Sequence, residues 1–179
     1  SLVAVDVRTG ERRWHFQAIH HDIWDWDFPV PGQLVDLTVD GREIPAVVQT
    51  SKQAFVYAFN RETGEPIWPI EERPVPAGNV AGEWYSPTQP FPTRPAPYEL
   101  QGLSVDDLMD YTPEHRQMAL DAVSDIKLGP IYTPWVTDTD PDGFRAGTAL
   151  TGRRDSTLDD VVEVVGWDDF HSGLVVQVG

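Results

Sequence analysis

Two stretches decide the fold: Ala4-Val-Asp6-Val-Arg8-Thr-Gly10-Glu-Arg-Arg-Trp14 and Ala58-Phe-Asn60-Arg-Glu-Thr-Gly64-Glu-Pro-Ile-Trp68. Alanine, Asx, Thr-Gly and tryptophan recur in register, 54 residues apart. Self-similarity at that spacing implies stacked supersecondary units, each too small to bury its own apolar face. Gly10 and Gly64 suit the positive φ of a tight turn. Trp14 and Trp68 are expected to pack between neighbouring units, with Ala4, Asp6, Ala58 and Asn60 completing the docking motif.

The segments around the repeats read as β-structure. Leu2–Val5 and Trp14–Gln17 flank the Arg8-Thr9-Gly10 turn. Leu34–Val39, Ile44–Thr50, Phe55–Phe59 and Ile67–Ile70 follow, separated by Asp40-Gly41, Ser51-Lys52-Gln53 and Glu62-Thr63-Gly64. Asx-Gly and Thr-Gly between β-rich runs are hairpin signals. Residues 1–71 are therefore expected to hold the last two strands of one four-stranded unit and the whole of the next. Tandem four-stranded units predict an all-β chain forming part of a β-propeller.

Residues 72–134 form an excursion from the same domain. Eleven positions from Pro87 to Pro97 include five prolines. Proline removes donors and fixes φ, so an extended surface loop is expected there, not sheet or helix. Ser104 is placed to cap a short helix through Asp110, and Thr112-Pro113-Glu114 to open a second. Met118, Ala119, Ala122, Val123 and Ile126 form the apolar stripe of that second helix. Residues 135–179 are an acidic segment, with strands expected at Val161–Val165 and Leu174–Val178. Asp138-Thr-Asp140-Pro-Asp142-Gly143 resembles part of a calcium loop but lacks the closing glutamate, so a solvated turn is expected.

The 179 residues carry a formal charge of −16, with −6 on residues 1–103 and −10 on residues 104–179. Such acidity argues against nucleic-acid partners. Seven Trp, five Tyr and seven Phe suffice for a core, and no apolar run is long enough to span a bilayer. There is no cysteine, which excludes disulfides and thiolate-bound metals within the chain. It opens inside a repeat unit without an initiator Met, as expected of a piece of a longer protein.

Chemistry is concentrated in His20-His21-Asp22-Ile-Trp24-Asp25-Trp26-Asp27. By composition this run could bind a metal, supply a catalytic carboxylate, or make a polar connection between blades. Adjacent histidines lack the i, i+4 spacing of helical zinc sites. Topology is more specific. In an up-and-down blade, the second-to-third turn and the connection between blades emerge on one face. Asp25 lies in such a connection and Lys52 in such a turn, so the two should converge, as a surface ion pair or as part of a site. His15, His115 and His171 have no supporting context.

The run from Ser1 to about Thr133 resembles the quinoprotein dehydrogenases that use pyrroloquinoline quinone (PQQ), closest to the glucose-, quinate- and polyol-oxidising type. The resemblance is carried by the two docking repeats, by His20-His-Asp-Ile-Trp-Asp25, and by the lysine 27 positions later at Lys52. Pro69-Ile-Glu-Glu-Arg-Pro-Val-Pro76 and Ser86-Pro-Thr-Gln-Pro-Phe-Pro92 add to it. Beyond Pro134 the family's glycine-rich and Asn-Trp-Gly-rich sequence is not found.

The resemblance implies an eight-bladed quinoprotein propeller, of which this chain is a fragment. It implies that Asp25 is the general base for a substrate hydroxyl and that Lys52 faces the quinone oxygens. His20, His21, Asp22 and Trp24 are implied as supports and pocket walls, and Ca²⁺ or Mg²⁺ as a Lewis acid within reach of Asp25. A sugar, polyol or alcohol would be the substrate and a quinone the electron acceptor. The location would be periplasmic, with membrane attachment only through parts outside this chain. The alternative is a non-catalytic propeller scaffold for protein–protein interaction, which needs neither Asp25 nor Lys52. With fewer than two blades and open sheet edges, the chain by itself is expected neither to bind PQQ tightly nor to oxidise sugar. Dye reduction by the purified chain supplied with PQQ and Ca²⁺ would overturn that expectation.

Overall fold

The computed structural model describes residues 1–137, 142–144, 149–150 and 174–178. They divide into two units. The first contains Ser1–Arg73, Thr88–Tyr98 and the strand near the C-terminus; the second contains Pro74–Pro87 and described residues from Glu99 to Leu150.

In the first unit, β1 (Leu2–Asp6) pairs antiparallel with β2 (Arg12–Phe16). Three further strands, β3 (Gln33–Val39), β4 (Arg42–Thr50) and β5 (Val56–Asn60), form an antiparallel sheet in that order. The two repeat turns are built alike. Asp6 Oδ1 accepts from the N–H of Arg8 and Thr9 at 2.9 and 3.3 Å. Asn60 Oδ1 does the same for Glu62 and Thr63 at 2.9 and 3.2 Å. The Asx oxygen thus satisfies turn donors that no strand partner can reach. Gly10 and Gly64 close the turns at φ 74° and 77°.

Trp14 docks on the second repeat. Its Nε1–H donates to Arg61 O at 3.0 Å, and the indole covers Gly64, where a Cβ would lie 2.5 Å from Trp14 Cγ. Phe59 stands 5.9 Å from Trp14 and 4.8 Å from Phe16, which is 5.0 Å from Tyr57. With buried Leu2, Ala4, Ala46, Val47 and Ala58, these rings form the core of the first unit. Trp68 is half-buried.

The expected four-stranded blade is only three-quarters formed. Ile67–Ile70 does not make the fourth strand: Phe59 and Pro66 form an isolated bridge, and Ile67 N–H donates to Ala58 O at 2.8 Å. Pro66 and Pro69 have no N–H to continue the ladder. Instead Ile70 begins β6 (Ile70–Pro74), which pairs with β7 (Thr88–Pro92). The proline-rich stretch is thus partly sheet, contrary to the surface loop expected. Gln89 and Pro90 are fully buried, and Tyr57 Oη donates to Pro90 O at 3.1 Å. Proline is tolerated in a strand of a two-stranded sheet because its missing donor has an open side to face.

In the second unit, β8 (Gly102–Leu103) pairs with β9 (Lys127–Pro130), which pairs with β10 (Ala149–Leu150). Helix α1 (Pro113–Ala122) begins where Thr112 Oγ1 accepts from His115 N–H at 3.2 Å. The helix expected after Ser104 shrinks to a 3₁₀ turn at Val105–Asp107, with the Asp107 carboxylate accepting from both the N–H and the hydroxyl of Ser104. Of the expected stripe, Ala119, Val123 and Ile126 are buried, whereas Met118 and Ala122 face solvent. The strand expected at Leu174–Val178 forms as β11 and runs parallel to β1. Val161–Val165, His171 and most of the Asp138–Gly143 turn lie outside the described residues.

The two repeat glycines should respond unequally to alanine. Gly10→Ala adds only the left-handed backbone penalty, because nothing lies within 4 Å of the new Cβ. Gly64→Ala adds a collision with the Trp14 ring. We expect a loss of about 1–2 kcal/mol for Gly10→Ala and about 1–3 kcal/mol more for Gly64→Ala, read as denaturation midpoints of the full-length protein.

Candidate active site

Two loops meet at Lys52. The first, residues 18–28, leaves β2 for β3; the second, Ser51–Ala54, is the β4–β5 turn. Lys52 N–H donates to Asp27 O at 3.0 Å, and Gln53 Nε2 donates to Ala18 O at 3.4 Å. The long loop is therefore tied near both ends to the short one. Tyr98 Oη donates to Ser51 O at 2.7 Å, securing the short loop in turn.

These ties set the charges. Lys52 Nζ donates to Asp25 Oδ2 at 2.7 Å and also lies 2.7 Å from Asp27 Oδ1. The buried Asp27 oxygen thus shares the ammonium with Asp25. Burial pulls the ammonium of Lys52 down, but Asp25 and Asp27 together outweigh it and hold the lysine above its ordinary value. It is a fixed cation with two counter-charges. The Asp25 side chain is 61% exposed, against 33% for Lys52, so the carboxylate offers an open edge while the ammonium is half-enclosed.

The backbone here is strained. His21, Asp25 and Ala54 adopt φ of 47°, 63° and 63°, in the left-handed region that costs a side-chain-bearing residue roughly 1–3 kcal/mol. Such conformations persist only where neighbouring contacts impose them. Asp22 supplies one: its Oδ1 accepts from Trp24 N–H at 2.9 Å. Surrounding protein raises the Asp22 carboxyl above its ordinary value, opposed by hydrogen bonds from the Trp24 and Trp26 backbone.

The remaining expected residues are near but differently employed. His20 Nε2 lies 2.9 Å from Glu72 Oε1, and its backbone is held by Gln89. His21 is exposed; Trp24 and Trp26 are half-buried, and Trp26 Nε1 is a buried donor without an acceptor. His15 is exposed on β2, and His115 sits in the first turn of α1. Asp27, Glu72 and Gln89 also meet at these loops, with no role expected from the sequence. For Asp27 the two-residue spacing from Asp25 was an available signal; for Glu72 and Gln89 no local signal exists.

Among the described residues, no three His, Asp or Glu side chains converge on a metal-sized site. Asp25 and Asp27 supply hard carboxylate oxygens suited to Ca²⁺ or Mg²⁺, so this chain can contribute part of an ion's shell. Lys52 fits a quinone better still. A fixed ammonium donates three hydrogen bonds and stabilises oxygen atoms that gain negative charge.

Residues 1–145 match the family model described as PQQ glucose/ethanol/alcohol dehydrogenase, beta-propeller domain. The quinoprotein glucose dehydrogenase of Escherichia coli K12 is 38% identical over 91 residues, 51% of this chain and 11% of that protein. A probable quinate dehydrogenase (quinone) of Xanthomonas campestris pv. juglandis is 32% identical over 99% of this chain and 22% of its own length. The glycerol dehydrogenase large subunit of Gluconobacter oxydans is 37% identical over 63% of this chain and 16% of its own length. The chain thus spans less than a quarter of each of these three relatives. No solved structure matches it significantly. Because that family model covers most of its length, the chain belongs to the β-propeller family of PQQ-dependent dehydrogenases.

Proposed function

We propose that this chain carries the general base and a quinone-facing cation of an enzyme that oxidises a sugar, polyol or alcohol CH–OH group with PQQ. The observation that supports this most is the 2.7 Å contact between Asp25 and Lys52, made across two loops by residues 27 positions apart. A scaffold propeller has no use for a strained, half-open carboxylate held against a trapped ammonium.

Charge accounting suggests how the pair works. One ammonium here faces two carboxylates. When Asp25 accepts the proton of a substrate hydroxyl, its charge is neutralised and only Asp27 still opposes Lys52. The lysine's field is then freer to act on negative charge arriving in front of it. Proton uptake and electron arrival are thereby coupled through a single cation. Bound PQQ would supply the two-electron chemistry, taking the hydride from the substrate carbon so that the alcohol becomes a carbonyl. Ca²⁺ or Mg²⁺ would add Lewis acidity, with Asp25 as one of its oxygen ligands. Electrons would pass on to a quinone, and we place the site on the periplasmic side by analogy with that chemistry.

Removing the base should be severe. In the full-length protein with PQQ and Ca²⁺, Asp25→Asn is expected to lower kcat by roughly 10²–10⁴-fold with little change in KM. Lys52→Met should cost roughly 10²–10³-fold and weaken PQQ binding. Dye-coupled turnover with both variants decides the matter, and wild-type rates in both would sink the assignment.

The raised value of Lys52 has its own consequence. Because the folded value lies above the unfolded one, the stability this ion pair contributes is complete below the ordinary lysine value of 10.5. It is lost only as pH rises through the raised folded value. In cofactor-free protein, Lys52→Met should therefore lower the melting temperature equally at about pH 7 and about pH 9. A deficit that disappears between those two points would show that the ammonium is not held up.

A further inference from the structure

We propose that Gln89 is a positioning residue for the reaction, bracing the Asp25 loop through the backbone of His20. The reading of Asp25 as the base underlies this inference. Gln89 is fully buried, and its amide grips one residue twice. Its Oε1 accepts from His20 N–H at 2.7 Å, and its Nε2 donates to His20 O at 2.8 Å. A carboxamide carries the same donor and acceptor as a peptide group, so it stands in for a strand neighbour that the irregular loop does not have. Without it, the two backbone groups of His20 would need other partners.

The brace is itself rigid. Pro90 follows Gln89 and restricts it to extended backbone, which pre-sets the direction of its side chain. Pro90 O accepts from Tyr57 Oη at 3.1 Å, and Tyr57 is fully buried in β5. A second contact comes from the same two-stranded sheet, where Glu72 Oε1 meets His20 Nε2 at 2.9 Å. A line of contacts thus runs from β5 through β7 to His20. Beyond His20, Asp27 is tied back to Lys52. Between these two ties lie His21 and Asp25, both in the left-handed region. His and Asp enter this region more readily than most residues, yet each still costs energy to hold there. Gln89 holds the upstream tie, and the aim of the Asp25 carboxylate depends on it.

The test uses the full-length protein and hydrogen exchange as well as activity. In the cofactor-free wild type, the His20 amide should exchange as slowly as amides of β4 and β5; free exchange there would refute the brace. Gln89→Leu removes both bonds, whereas Gln89→Glu keeps an acceptor for His20 N–H and loses the donor to His20 O. Exchange in the peptide spanning residues 20–27 should quicken by about 10-fold or more in Gln89→Leu, and by less in Gln89→Glu, with β4 and β5 unchanged. With PQQ and Ca²⁺ bound, kcat should fall about 10–100-fold while KM and PQQ affinity move less than about threefold. The isotope effect on a substrate deuterated at the reacting carbon should grow, as expected if the transfer step is what slows.

Unchanged loop exchange in Gln89→Leu overturns the proposal. So does exchange that quickens uniformly through β4 and β5, which marks a core residue and no more. Asp25→Asn run alongside separates the two readings. If that variant keeps its activity, the base assignment fails on its own, while the loop exchange still reports on the brace.

Discussion

An indole lying on a bare glycine holds the first unit together. Trp14 can reach the turn after β5 only because Gly64 has no side chain, and its N–H finds Arg61 O once it is there. That contact joins one repeat to the next and brings Phe16 and Phe59 into the same cluster. The connection between the repeats is then constrained at both ends. Residues 18–28 leave a strand that Trp14 has anchored and return to β3, and the β4–β5 turn lies alongside them. The convergence of Asp25 and Lys52 follows from this arrangement.

The loop that carries Asp25 has little secondary structure of its own. Its order comes from the peptide of Lys52, the amide of Gln53 and the carboxamide of Gln89 outside it, and from its own Asp22 carboxylate. Such ties allow strained backbone where a regular strand would forbid it. Positive φ at Asp25 tilts its carboxylate out of line with its neighbours, leaving one oxygen on Lys52 and most of the side chain open. The cost of that strain is met by hydrogen bonds elsewhere, a distribution common at sites where geometry has to be imposed.

The departures from expectation have simple causes. The fourth strand of the blade fails because prolines stand at positions 66 and 69, a steric fact present in the sequence but outweighed there by the apolar pattern of Ile67–Ile70. Thr88–Pro92 is the converse. Its prolines argue against sheet, yet Gln89 and Pro90 are buried and the segment pairs with β6. Composition marks a backbone short of donors, but an edge position needs few. The Ser104 hydroxyl donates to the Asp107 carboxylate instead of accepting a helix N–H, and only a 3₁₀ turn forms.

What is local and periodic is legible in the residue order. The Asx-Thr-Gly turns and the cap at Thr112 arise from hydrogen bonds over two to five residues, which residue type and order specify directly. The same repeat register carried Asp25 and Lys52 to a common face, since strand direction alone decides that. Tertiary structure decided the second carboxylate on Lys52, the strained backbone at Asp25 and the grip of Gln89 on a residue 69 positions away. Those contacts depend on which groups are buried together once the sheets have packed. A buried amide seeks whatever backbone donor and acceptor lie beside it, and no local pattern records which residue that will be.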